Sequence, residues 1–173
     1  MRVTQRSIAR VPRIESDVLD EWHWDTLQQK HRELLEYVRD DEIGTEAIAY
    51  YDLNMRELTK YKGKPGAASV LPSEIFQPHY VMHSHPDGCT FSIGDVAKFL
   101  GDENALGISA VGNDGSLFTL EKRPNYDVSA VAYYFSTVEH EMPDPQKDPC
   151  EMVRFMENFC NHMNGCGFIY RKR

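Results

Sequence analysis

Residues 79–95 read HYVMHSHPDGCTFSIGD, and no single element of secondary structure can hold that run. HYVMH has strand character, but Pro86 closes the HSHP segment; proline has no amide hydrogen to give to a sheet, so the strand has to stop there. Ser92 then stands ahead of IGDVAKFL with an acid, Asp95, three residues on. This variant of the N-capping box predicts a helix start, and Gly101 predicts its end. Next, LGISAVGNDGSLFTLEKR holds two apolar runs around Asn113-Asp114-Gly115, a strong hairpin signal. The middle of the chain is thereby committed to strand, loop, helix and hairpin in close succession.

The flanks read less sharply. From Ser16, SDVLDEWHWDTLQQKHRELLEYVRDD places Val18, Trp22, Leu27, Leu34, Leu35 and Val38 at near-helical spacing without Gly or Pro, which predicts one long amphipathic helix. TEAIAYYDL reads as a strand, NMRE as a turn and LTKYKG as the return strand, before GKPGAA breaks the pattern. Two further helices are expected at about 127–141 and 148–163, separated by MPDPQKDP, and CGFIYRKR as a last short strand. This order predicts an α/β (α+β) chain with a single mixed sheet flanked by helices. A length of 173 residues suits one domain, 1–173, read as an N-terminal helical extension (1–41), a motif-bearing core (42–122) and C-terminal helices with a short strand (123–173).

Charge narrows the partners. Against 19 Lys and Arg stand 27 Asp and Glu, a net charge of -8 that repels phosphate backbones, so no nucleic-acid partner is expected. The basic ends, MRVTQRSIARVPR and YRKR, read as solvated tails. Neither a signal-peptide apolar region nor a membrane span is seen, so a soluble, cytoplasmic protein without a membrane partner is expected, its four cysteines reduced.

Side chains alternate faces along a strand, so His83 and His85 point the same way and Ser84 the other. Asp95, in the first turn of the following helix, completes a His, His, Asp set that suits one Zn²⁺ and leaves a fourth position for water, the pattern of a catalytic site. Each residue alone has a plainer reading, Asp95 as an acid at a helix N-terminus and the histidines as surface residues by a turn. Their conjunction favours the metal. Cys160, His162 and Cys166 match no common finger spacing and read as a helix end. Cys89 lies in the loop over the proposed site, Trp22 and Trp24 read as packing residues, and His79 faces the same side as the histidine pair.

HSHPDGCTFSIGD resembles the signature of the JAMM (MPN+/JAB) metalloproteases, which runs H-x-H-P, a short loop, then S-x-x-D, with a glutamate on an earlier strand. The FSxxD form, Phe91 to Asp95, looks most like JAB-type domains of bacteria and phages. The likeness covers about 44–120, and the loop DGCTF is one residue shorter than in the commonest form of the motif. The resemblance implies a JAB/MPN-like, cytidine-deaminase-like architecture, with zinc at His83, His85 and Asp95 and Ser92 as oxyanion donor. It further implies a glutamate that handles the proton of the zinc-bound water during hydrolysis of a peptide or isopeptide bond. Glu46, at the head of EAIAYYD, stands where that glutamate is sought, with Glu42 and Glu57 as weaker candidates. Substrates implied are protein or peptide segments, such as a ubiquitin-like modifier or a protein tail. Two other readings compete: a non-catalytic JAB-like binding or scaffold module, and a metallo-β-lactamase-like hydrolase with Asp87 as third ligand. A zinc deaminase is disfavoured, since its Pro-Cys-x-x-Cys element is absent.

Overall fold

The structure is a computed structural model that describes residues 1–63 and 75–173; apart from Gly63, the GKPGAA loop lies outside the described residues. Six strands form one mixed sheet: β1 (Ala47–Asp52), β2 (Glu57–Lys62), β3 (His79–His85), β4 (Ala105–Gly112), β5 (Leu117–Lys122) and β6 (Phe168–Lys172). Their order is β2-β1-β3-β4-β5-β6, and every neighbouring pair is antiparallel except β3 and β4. That exception follows from the capped helix read between them, α3 (Ile93–Gly101), since a helical crossover returns the chain in the direction it left.

Four further helices complete the fold: α1 (Gln5–Arg10), α2 (Trp24–Val38), α4 (Val128–Val138) and α5 (Pro149–Met163), with α3 (Ile93–Gly101) as the crossover. Both hairpins turn where the sequence places them. In the first, the Asp52 carboxylate accepts from the Asn54 and Arg56 amides (2.9 and 2.8 Å), which holds Met55 at φ 61°. In the second, Gly115 takes φ 92°.

Alternation along the strands gives the sheet two apolar faces. Ile48, Tyr50, Val81, Ile108, Phe118 and Phe168 face α3, α4 and α5. Ala49, Tyr51, Tyr80, Met82, Val111 and Leu117 face the N-terminal segment, which buries Val11, Ile14, Leu27, Leu34 and Leu35 against them. Helices therefore cover both sides of the sheet.

Three expectations need correcting. The long helix does not start at Ser16: the Ser16 hydroxyl oxygen accepts from the Val18 and Leu19 amides (3.3 and 3.1 Å), an alternative to helical bonding, and α2 begins only at Trp24 after a 3-10 turn at Glu21–His23. That break leaves Trp22 73% exposed, whereas Trp24 packs, its indole N–H donating to the Leu19 carbonyl and its ring lying under Arg13. The basic N-terminus is no solvated tail, because Thr4 and Ser7 form a capping box that starts α1, and Val3 and Val11 are buried on either side of it. At the other end the first three residues of YRKR, Tyr170 to Lys172, belong to β6, and Arg171 is drawn down to the fully buried Glu121.

Glu121 anchors a polar network on the N-terminal side of the sheet. Its carboxylate accepts from Arg171 Nη1 (3.1 Å), the Asp17 amide (2.8 Å) and the Tyr80 hydroxyl (3.4 Å), and Arg171 also pairs with the Asp17 side chain. Burial pushes the Glu121 carboxyl up, against the opposing effects of Ser16, the Asp17 amide and Arg171. Nearby, the buried His31 lies 2.7 Å from the Ser109 hydroxyl, and burial lowers its pKa to about 4. Among the described residues no helix is long and apolar enough to cross a membrane.

Candidate metal centre

The two histidines sit at the carboxyl end of β3, and the loop that follows is seated on the β4–β5 turn. The His85 carbonyl accepts from the Gly88 and Asn113 amides (3.3 and 3.0 Å), and Ser116 Oγ donates to the Gly88 carbonyl (3.3 Å). Gly88 adopts φ +66°, and a Cβ on Gly112 would stand 2.7 Å from the Gly88 Cα. The end of the loop turns inward: Thr90 and Tyr170 hydroxyls meet at 2.8 Å, and Phe91, 1% exposed, packs beside the His83 and Tyr170 rings. Five residues thus suffice to carry the chain from Pro86 to the start of α3.

A methyl group added at Gly112 would collide with that seat. Gly112→Ala is expected to cost about 1–3 kcal/mol through overpacking and to displace His85. Gly101→Ala, where the added methyl meets nothing within 4 Å, should do neither. Thermal unfolding checks both variants; equal stability of the two would refute the seat.

Ser92 caps α3, and in the same box Asp95 returns its carboxylate toward the cap, accepting from the Ser92 amide and hydroxyl (2.8 and 2.7 Å). Asp95 Oδ2 lies 3.6 Å from His83 Nε2 and 3.4 Å from His85 Nε2, which are 2.8 Å from each other. His85 Nδ1 is 2.9 Å from the Cys89 carbonyl, which can only accept, so the proton sits on Nδ1 and the lone pair on Nε2 faces the cluster. Two ring nitrogens and a carboxylate oxygen this close repel one another unless a proton or a cation stands among them. Three ligands about 2 Å from a zinc ion in tetrahedral array stand about 3.3 Å apart. Two of the separations match, and a small ring rotation opens the third. The residues fit the ion.

Electrostatics follow the geometry. Burial alone would raise the Asp95 carboxyl, but His83 and His85 overcome it and hold the group far below the ordinary carboxylate range. Burial would lower His85, but Asp95, the Cys89 carbonyl and Glu46 reverse this and raise it. Glu46, half-buried, is raised by burial against the opposing pull of His85 and His83.

Register explains how Glu46 reaches the site. Ile48 of β1 stands opposite His83 of β3 in an antiparallel ladder, so two residues back along β1 and two on along β3 bring Glu46 and His85 alongside on one face. The start of β1 is held from the other face, where the Ala47 amide donates to the buried Ser84 hydroxyl (2.9 Å). The weaker candidates lie elsewhere: Glu57 is paired with Lys60 on the edge strand, and Glu42 is exposed. Asp87 is exposed and outside the cluster, and no second metal cluster forms among the described residues: Cys160 is buried while His162 stacks on Tyr134. His79 shares the face of the pair but sits at the far end of β3, bonded to the Gln77 carbonyl (2.9 Å).

Two contributors escape a motif reading. One is the Cys89 carbonyl, a main-chain atom with no residue signature. The other is Lys122, which caps the C-terminus of α3 by donating to the Phe99 and Asp102 carbonyls (2.9 and 2.6 Å), its pKa lowered by burial to about 8. A groove of about 540 Å³ opens from the cluster toward α5. Comparison with known protein families, with curated proteins and with solved structures finds no match to this chain.

Proposed function

We propose that the chain is a zinc-dependent peptidase or isopeptidase of the JAMM kind. The observation that carries this reading is the convergence of His83 Nε2, His85 Nε2 and an Asp95 carboxylate oxygen at the mouth of a groove, with Glu46 lining the same groove. Bound there, zinc would supply Lewis acidity toward a substrate carbonyl and lower the pKa of water to about 7.

The chain's own residues do the rest. The Cys89 carbonyl fixes the ring of His85, and Ser92 orients Asp95. Glu46 takes the proton from the attacking water and delivers it to the leaving amine, one carboxylate serving as base and then acid. The Ser92 hydroxyl donates its hydrogen bond to Asp95 in this structure, so donation to a substrate oxyanion requires the hydroxyl to turn away from that carboxylate. The substrate would be a protein or peptide segment, a ubiquitin-like modifier or a protein tail among them, and the setting would be cytoplasmic.

Elemental analysis of protein purified without added metal or affinity tag is expected to find one equivalent of zinc, lost in His83→Ala and in Asp95→Ala. Protein that holds no zinc and takes up none on titration would sink the reading.

A further inference from the structure

The groove beside the metal centre has two unlike walls. One is the loop and helix start that carry His85, Ser92 and Asp95; the other is apolar and comes from a distant part of the chain, with Met152 and Val153 of α5 flanked by Pro145 and Pro149. Met156, lower on the same helix, is 2% exposed and belongs to the core, so this wall is anchored and not a loose flap. The lining includes Glu46, Asp87 and Asp95 and no Lys or Arg. At about 540 Å³ the space falls within the range of ligand-binding clefts, about 300–1,000 Å³.

We infer that this wall is the specificity surface of the peptidase proposed above: the occupant is a peptide segment carrying a large apolar side chain beside the scissile bond and no acidic residue next to it. The inference rests on the peptidase reading. Continuity places the occupant, since the groove opens directly from Glu46, His85 and Asp95. Charge selects it, since an acidic side chain would face Glu46 and Asp87 without a cation among the lining residues to receive it. Met152 supplies an adaptable thioether surface, which accepts Leu, Met or Phe alike and excludes none of them by shape. Val153 sets the polarity of the wall beside it.

The test is digestion of a proteome-derived peptide mixture by the zinc-loaded full chain, with cleavage sites read by mass spectrometry, for the wild type and for Val153→Lys and Val153→Glu. Zinc content is measured for all three. Expected in the wild type is enrichment of large apolar residues at one fixed position near the bond, with depletion of Asp and Glu there. At that position Val153→Lys should raise acidic residues, and Val153→Glu basic ones, by about tenfold, the scale of discrimination that one contact in such a pocket gives. Opposite shifts in two variants that retain zinc are not a result that misfolding can imitate. Cleavage without apolar preference, or a preference that neither variant moves, would overturn the inference and leave the peptidase reading standing. Absence of any cleavage by the zinc-loaded wild type would overturn both.

Discussion

Replacing Glu46 by glutamine is expected to reduce peptide hydrolysis by about 10²–10⁴-fold, the usual contribution of a positioned general acid–base, while one equivalent of zinc stays bound. The substitution keeps the shape of the side chain and the start of β1, which the Ala47–Ser84 bond holds from the opposite face. It removes only the ability to accept a proton. Because Glu46 is not one of the three converging ligands, metal content and rate should separate, in contrast to His83→Ala and Asp95→Ala, which lose both. The measurement is kcat/KM on the best peptide from a digestion screen, with zinc content determined on the same preparation. Undiminished turnover in Glu46→Gln would remove Glu46 from the mechanism and leave Asp87, the other acid free of the cluster that lines the groove, as the carboxylate to test next.

What made the site legible is that its signals are local. Pro86 ends β3, Ser92 and Asp95 start α3, and two histidines separated by one residue share a face whatever the remainder of the sheet does. The β4–β5 turn and the closing strand were legible for the same reason, each being a short apolar run beside a turn signal. Long-range pairings were not: nothing in CGFIYRKR announces that it lies along β5, or that Arg171 reaches Glu121 and Asp17. The N-terminus misled because periodicity reads straight through Ser16, whereas the serine hydroxyl holds the next two amides out of the helix. Basic composition likewise hid the capped helix α1, whose evidence is the Thr4–Ser7 pair and not its charge. The wall at Met152 and Val153 comes from α5 and lies across the groove from the loop that follows β3, so only the folded chain reveals it.

The network around Glu121 carries the largest expected effect on stability. Arg171→Met should cost about 3 kcal/mol, the lower end of the ~3–5 kcal/mol typical when one partner of a buried ion pair is removed. The lower end applies because Glu121 keeps the Asp17 amide and the Tyr80 hydroxyl, and because the Arg171 side chain is itself 20% exposed. The loss should depend on pH. Burial already raises the Glu121 carboxyl, and Arg171 is one of the groups that restrain the rise, so its removal raises that group further. A carboxyl raised in the folded state favours folding in its protonated form. That contribution is fully present below the unfolded value of about 4.3 and is lost as pH climbs through the folded value. The stability gap between wild type and variant should therefore be small near pH 4 and widen toward neutrality. His31, held low by burial, destabilises both proteins in acid, so it cancels in the difference. Urea unfolding at several pH values from 4 to 7 measures the gap, and adding Glu121→Gln to Arg171→Met should recover most of the neutral-pH loss by removing the unpaired charge. A gap that is constant with pH, or that the second substitution fails to close, would show that Arg171 stabilises β6 through its packing and not through the buried carboxylate.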